Sequence, residues 1–98
     1  MSGALIRRRL RLCGAVQGVG LRWRARHAAR AVGATGWVQN LSDGSVLMEL
    51  QGREEQIDRV LQSLEESRYI AITDMDVRRV PVLPDERDFV ARDDTNEQ

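Results

Sequence analysis

Along this 98-residue chain the apolar residues alternate at every second position, then fall at helical spacing, and the cycle runs twice. Residues 4–13 put Ile6, Leu10 and Leu12 on one alternating face and Arg7, Arg9 and Arg11 on the other, with Arg8 interrupting the apolar face. That pattern predicts a strand. A glycine-rich turn over 14–21 follows, and from Arg22 to Val32 the residues Ala25, Ala28, Ala29 and Val32 fall on one helical stripe, with Gly33 as its C-cap. Thr35–Leu41 reads as a short strand, Ser42-Asp43-Gly44 as a hairpin turn, and Val46, Met48 and Leu50 as the next strand. A second helix over Glu54–Glu66 carries Ile57, Val60, Leu61 and Leu64 on one stripe, and Glu54 and Glu55 complement its dipole. Ile70–Val80 predicts a long irregular strand and Arg87–Arg92 a short last one around Phe89, with Pro81 and Pro84 between them. Asp93–Gln98 is polar and expected to fray.

Two strand–helix–strand halves with both helices on one face describe a ferredoxin-like α+β two-layer sandwich, with an antiparallel sheet of four to five strands. Residues 1–98 are expected to form a single domain, and 42% hydrophobic with 31% charged residues suits a packed core. The other face of the sheet is expected to be open to water and to give Arg7, Arg9 and Arg11 a place without a function. Cys13 is alone, which leaves no intrachain disulfide and no thiolate metal cage. His27 is also alone, and every basic residue is arginine, which removes Schiff-base chemistry and a Walker-type lysine. No metal or cofactor is expected. The net charge of zero hides an asymmetry: residues 1–42 hold eight arginines and no acid, and all 15 acids lie after them. A basic first half suits an anionic ligand, while the neutral total argues against a broad nucleic-acid footprint. No apolar run approaches the roughly 18 residues of a membrane span, and arginines at 7–9 and 11 break any secretory apolar core. The expected location is the cytoplasm.

The informative stretch is Cys13-Gly-Ala-Val-Gln-Gly-Val-Gly-Leu-Arg22. Glycines between a strand and a helix N-terminus let backbone N–H groups turn inward around an anion, the helix dipole adds positive potential, and a guanidinium grips two phosphate oxygens at once. On spacing alone, a strand-to-helix turn whose glycines serve only the bend accounts for the stretch equally well. A dinucleotide fingerprint fits poorly, because Trp23 stands where the third glycine belongs. His27 reads as a surface residue, Trp37 as core or sheet packing, Cys13 as a small strand residue, and Arg24, Arg26 and Arg30 as a solvated helix edge. Asn40, taken alone, is a turn residue before Ser42-Asp43-Gly44.

The residues Gly14-x-Val16-Gln17-Gly18-Val19-x-x-Arg22, followed by Gly36-Trp37-Val38-x-Asn40 and Asp43-Gly44-x-Val46, resemble acylphosphatases over about residues 5–67. The resemblance implies hydrolysis of a carboxyl–phosphate anhydride to a carboxylate and inorganic phosphate, by a monomer. It places the family's catalytic arginine on Arg22 and its water-positioning asparagine on Asn40. The phosphate-cradling backbone falls on Ala15, Val16, Gln17, Gly18, Val19 and Gly20. Two departures stand out: Leu21 precedes the arginine where the family usually has an aromatic residue, and Ser67–Thr73 lacks the usual proline-containing pattern. The chemistry suits the inventory. An acyl phosphate already carries a weakly basic leaving group, so positioning and charge stabilisation suffice. Asn40 can hold a water but is no strong base, and the resemblance implies that the substrate's own phosphate oxygen takes the proton.

Two other readings compete. One is a non-catalytic module that binds phosphate or carbamoyl groups, as in the corresponding domain of larger hydrogenase-maturation proteins. The other is an RNA reader on the open sheet face. Such readers stack bases on strand aromatics, and the first strand offers none.

Overall fold

A computed structural model describes residues 3–93, so of the expected frayed tail only Asp93 falls within it and 94–98 lie outside the described residues. The elements follow the periodicities closely: β1 Ile6–Ala15, α1 Leu21–Val32, β2 Thr35–Asn40, β3 Val46–Gly52, α2 Glu54–Glu65, β4 Ala71–Val80 and β5 Phe89–Ala91. The sheet order is β4-β1-β3-β2-β5. The four longer strands pair with one another antiparallel, and β5 joins the β2 edge in parallel, which makes the sheet mixed. Parallel pairing follows from the route of the chain: after β4 it must cross the whole sheet to reach the opposite edge.

The alternating apolar residues bury as their spacing dictates. Leu10, Leu12, Val38, Met48 and Leu50 from the sheet meet Ala25 and Ala29 of α1 and Ile57, Val60 and Leu64 of α2, all with no exposed surface. Each large aliphatic side chain so buried contributes about 1.5–3 kcal/mol. The helices are also tied by polar contacts at their ends. Gln56 Nε2 donates to the Val32 carbonyl at the end of α1 (2.6 Å), and Arg24 Nε donates to the Ser63 carbonyl on α2 (2.7 Å). Arg24 is therefore part of the interhelical contact and not a solvated edge.

The outer face of the sheet departs from the sequence reading at Arg7. Arg9 and Arg11 are half-exposed there, but Arg7 is 1% exposed. The segment 81–88, carrying Pro81 and Pro84, crosses this face over Arg7 and Gln51. The Leu83 carbonyl accepts from Gln51 Nε2 (2.9 Å) and the Leu83 N–H donates to Gln51 Oε1 (2.8 Å). Arg7 lies beneath the segment, donating to Glu49 (2.6 Å), Gln51 (3.1 Å) and both carboxylate oxygens of Glu86 (2.7 and 3.1 Å). Arg9 pairs with Glu49, Arg11 with Asp43, Arg8 with Glu54, and Arg30 with Asp88. The charge asymmetry of the sequence thus resolves into pairs between the basic first part of the chain and the acidic second.

Burial pushes the Glu49 carboxyl up, but hydrogen bonds and charge from Arg7 and Arg9 outweigh it and hold the group below the usual glutamate range. A depressed carboxylate contributes stability above its unfolded pKa and loses that contribution as pH falls through the folded value. Arg7→Met should therefore destabilise the fold at neutral pH by roughly 3 kcal/mol. That is the low end of what removing one partner of a buried pair costs, because Glu49 keeps Arg9. The difference from the parent should shrink on acidification, as Glu49 protonates. Denaturant unfolding at neutral and acidic pH checks this, and a difference that grows in acid would contradict it.

Candidate active site

The site forms where β1 hands over to α1. Gly18 and Gly20 adopt left-handed backbone (φ 73° and 80°), which turns the chain sharply into the helix. A Cβ at either would meet nothing within 4 Å, so backbone conformation, not crowding, selects glycine there. Gly20 is the residue that precedes the first turn of α1. Among the described residues that turn has no side-chain cap and no acid, so its N–H groups and dipole face the loop. Val16 and Leu21 anchor the loop from below, at 1% and 2% exposure. Leu21, which precedes the arginine, thus packs an aliphatic side chain under the loop.

The Gln17 side chain has a role that sequence reasoning missed. Its Nε2 donates to the Leu41 carbonyl (2.7 Å) and to the Ser45 carbonyl (2.8 Å), clamping the loop to the turn between β2 and β3. That turn is held independently by the Leu41 N–H on the Ser45 carbonyl (2.9 Å) and by Asp43, whose carboxylate accepts from the Ser45 N–H and hydroxyl. Those hydrogen bonds from Ser45, with the Arg11 charge, hold Asp43 below the ordinary aspartate range. Asp43 is a turn residue, as its Ser-Asp-Gly setting suggests. Asn40, the last residue of β2, sits at the base of this turn and is 8% exposed.

Gly18, Gly20, Leu21, Arg22, Trp23 and Asn40 line one cavity of about 200 Å³. Arg22 and Asn40, 18 residues apart in the chain, are brought to the same opening as two of the loop glycines. Arg22 Nη1 donates to the Arg92 carbonyl (2.7 Å), so the chain following β5 also reaches the site. Next to it, the Arg92 guanidinium stacks over Trp37, 4.1 Å from the ring centre, on the outer face of the sheet. Trp37, at 9% exposure, is accordingly buried in packing against an arginine on that face. Cys13 is half-buried and lines a separate cavity with Gly14, Asp43, Gly44 and Ser45. Among the described residues no group of three or more His, Cys, Asp and Glu side chains comes together. No described helix is long and apolar enough to cross a membrane.

The acylphosphatase family model matches residues 8–91, which extends through the C-terminal strands where the motifs are weakest. An acylphosphatase of Geobacillus thermodenitrificans is 40% identical over 77 residues, spanning 78% of this chain and 82% of that protein. The crystal structure of acylphosphatase from Bacillus subtilis superimposes with a TM-score of 0.80 at 27% identity, covering 89% of this chain and 98% of the other. Full-length HypF, solved in a phosphate- and nucleotide-bound form, matches with a TM-score of 0.82 at 26% identity, covering 94% of this chain but 12% of HypF.

Proposed function

The chain belongs to the acylphosphatase family, and from that premise we propose that the cavity at the start of α1 is where it hydrolyses acyl phosphates. As a hydrolase of this family it cleaves the carboxyl–phosphate bond, releasing a carboxylate and inorganic phosphate. The N–H groups of Ala15–Gly20 and the first turn of α1 hold the phosphoryl oxygens, and Arg22 grips two of them. Asn40 orients a water in line with the leaving oxygen. The water oxygen bonds to phosphorus as the bond from phosphorus to the acyl oxygen breaks. The carboxylate leaves with the bonding pair, and the water's proton passes to a phosphate oxygen. No strong acid is required, because a carboxylate is a stable leaving group.

The observation that carries this reading is the convergence of Arg22, Asn40, Gly18 and Gly20 on one small cavity beside an uncapped helix N-terminus. We take residues 1–98 as one acylphosphatase-like domain acting as a cytoplasmic monomer without a metal, and light scattering of the purified chain tests its oligomeric state. Hydrolysis of benzoyl phosphate with and without a chelator tests the chemistry. Turnover should be unchanged by the chelator, and a rate that the chelator abolishes would overturn the metal-free route. Phosphate binding without any turnover would instead favour a non-catalytic binding module.

A further inference from the structure

We propose that Trp23 is the acyl-group recognition surface of this enzyme, and that its preferred substrates are acyl phosphates with a flat, aromatic acyl group. The proposal rests on the reading of the adjoining cavity as the phosphate site. At about 200 Å³ that cavity is smaller than the roughly 300–1,000 Å³ of ordinary ligand pockets. It has room for a phosphoryl head and leaves the acyl group to lie against the rim. Trp23 is on that rim, lining the cavity with its neighbour Arg22 and with Asn40.

Trp23 is also 60% exposed, a large apolar surface left in water beside a charged site. Helical side chains lean toward the helix N-terminus, so from the third position of α1 the indole is directed toward the loop. One face of the indole is already ordered. His27, one turn later, stacks on it with ring centres 5.0 Å apart and planes 6° from parallel. A ring that is stacked on one side and exposed over much of its surface offers an aromatic acyl group a rigid partner, with little further ordering needed on binding. Arg22, the one arginine that lines the cavity, suits the phosphate but offers an aliphatic or aromatic acyl group no comparable apolar face.

The test compares kcat/KM for benzoyl phosphate and acetyl phosphate in the parent, in Trp23→Ala and in Trp23→Phe. The parent should prefer benzoyl phosphate. Trp23→Ala should lower the benzoyl-to-acetyl ratio about three- to tenfold, chiefly through KM, the loss expected for one aromatic contact. Trp23→Phe should retain most of the ratio, which a merely structural defect would not do. Benzylphosphonate and methylphosphonate, stable probes that differ in the same way, should inhibit the parent with benzylphosphonate clearly the tighter. Equal inhibition by the two phosphonates, or an unchanged ratio in Trp23→Ala, would overturn the proposal. Inhibition by inorganic phosphate separates the two readings. If it still depends on Arg22, the phosphate site stands without the acyl surface; if it does not, the site itself has been misplaced.

Discussion

Arg22→Ala is expected to lower kcat/KM for an acyl phosphate by on the order of 10²–10⁴-fold and to weaken inhibition by inorganic phosphate by a large part of that factor. Charge-assisted hydrogen bonds contribute about 1.5–3 kcal/mol each, and a guanidinium fork makes two to one phosphate. Each 1.36 kcal/mol is tenfold, which sets the range. Part of the cost is offset, because in the unliganded protein Nη1 already donates to the Arg92 carbonyl and that bond must be exchanged for a bond to substrate. The fold should survive, since the loop is anchored by buried Val16 and Leu21 and by the Gln17 clamp. Arg22→Lys keeps the charge but loses the planar fork, and should fall between the parent and Arg22→Ala. Titration with inorganic phosphate, alongside thermal unfolding of each variant, separates lost binding from lost structure. An Arg22→Ala protein that holds phosphate as tightly as the parent would place the cradle elsewhere.

What the sequence makes legible is local, and what it hides depends on distant segments meeting. Helix α1 is readable because Ala25 and Ala29 recur at helical spacing and Gly33 ends it, and both alanines are fully buried in the structure. Alternation likewise puts Arg7, Arg9 and Arg11 on one face of β1. It cannot reveal that the connection from β4 to β5 is laid across that face and closes over Arg7 but leaves Arg9 half-exposed. That outcome depends on Glu86, 79 positions away. The direction of β5 is hidden for the same reason: three residues carry too little periodicity to name a partner, and the crossing connection decides it. In the site, Arg22 and the loop glycines stand out in the sequence, but their spacing alone fits a simple bend equally well, and it is the family resemblance that assigns them to phosphate. Gln17 does not stand out, because in sequence it is one loop residue among several, and its clamp needs the carbonyls of Leu41 and Ser45 brought to it. Trp23 and His27 stand four apart and so share a helix face, but only the sharp entry at Gly20 sets that face beside the cavity.

Asn40 is where a structural and a catalytic role predict the most different results. As the last residue of β2, opposite Val46, it borders a turn that has its own fastenings in Leu41, Asp43 and Gln17. If its amide orients the attacking water, Asn40→Ala removes a contact made in the transition state and little used in binding phosphate. The rate constant should then fall by on the order of 10²–10³-fold, as for loss of one preorganised polar group. The Michaelis constant and phosphate affinity should stay within a few-fold, the signature of stabilisation confined to the transition state. A residue serving only the turn would give the opposite pattern, a modestly lower melting temperature with turnover almost intact. Asn40→Asp keeps the shape but sets a negative charge beside an anionic substrate, so it should weaken phosphate binding as well as slow the reaction. Steady-state kinetics of both variants, with phosphate as competitive inhibitor, measure all of this. Turnover by Asn40→Ala within about threefold of the parent, a barrier difference of only ~0.7 kcal/mol, would remove Asn40 from the mechanism and leave the water to be held by groups of the loop itself.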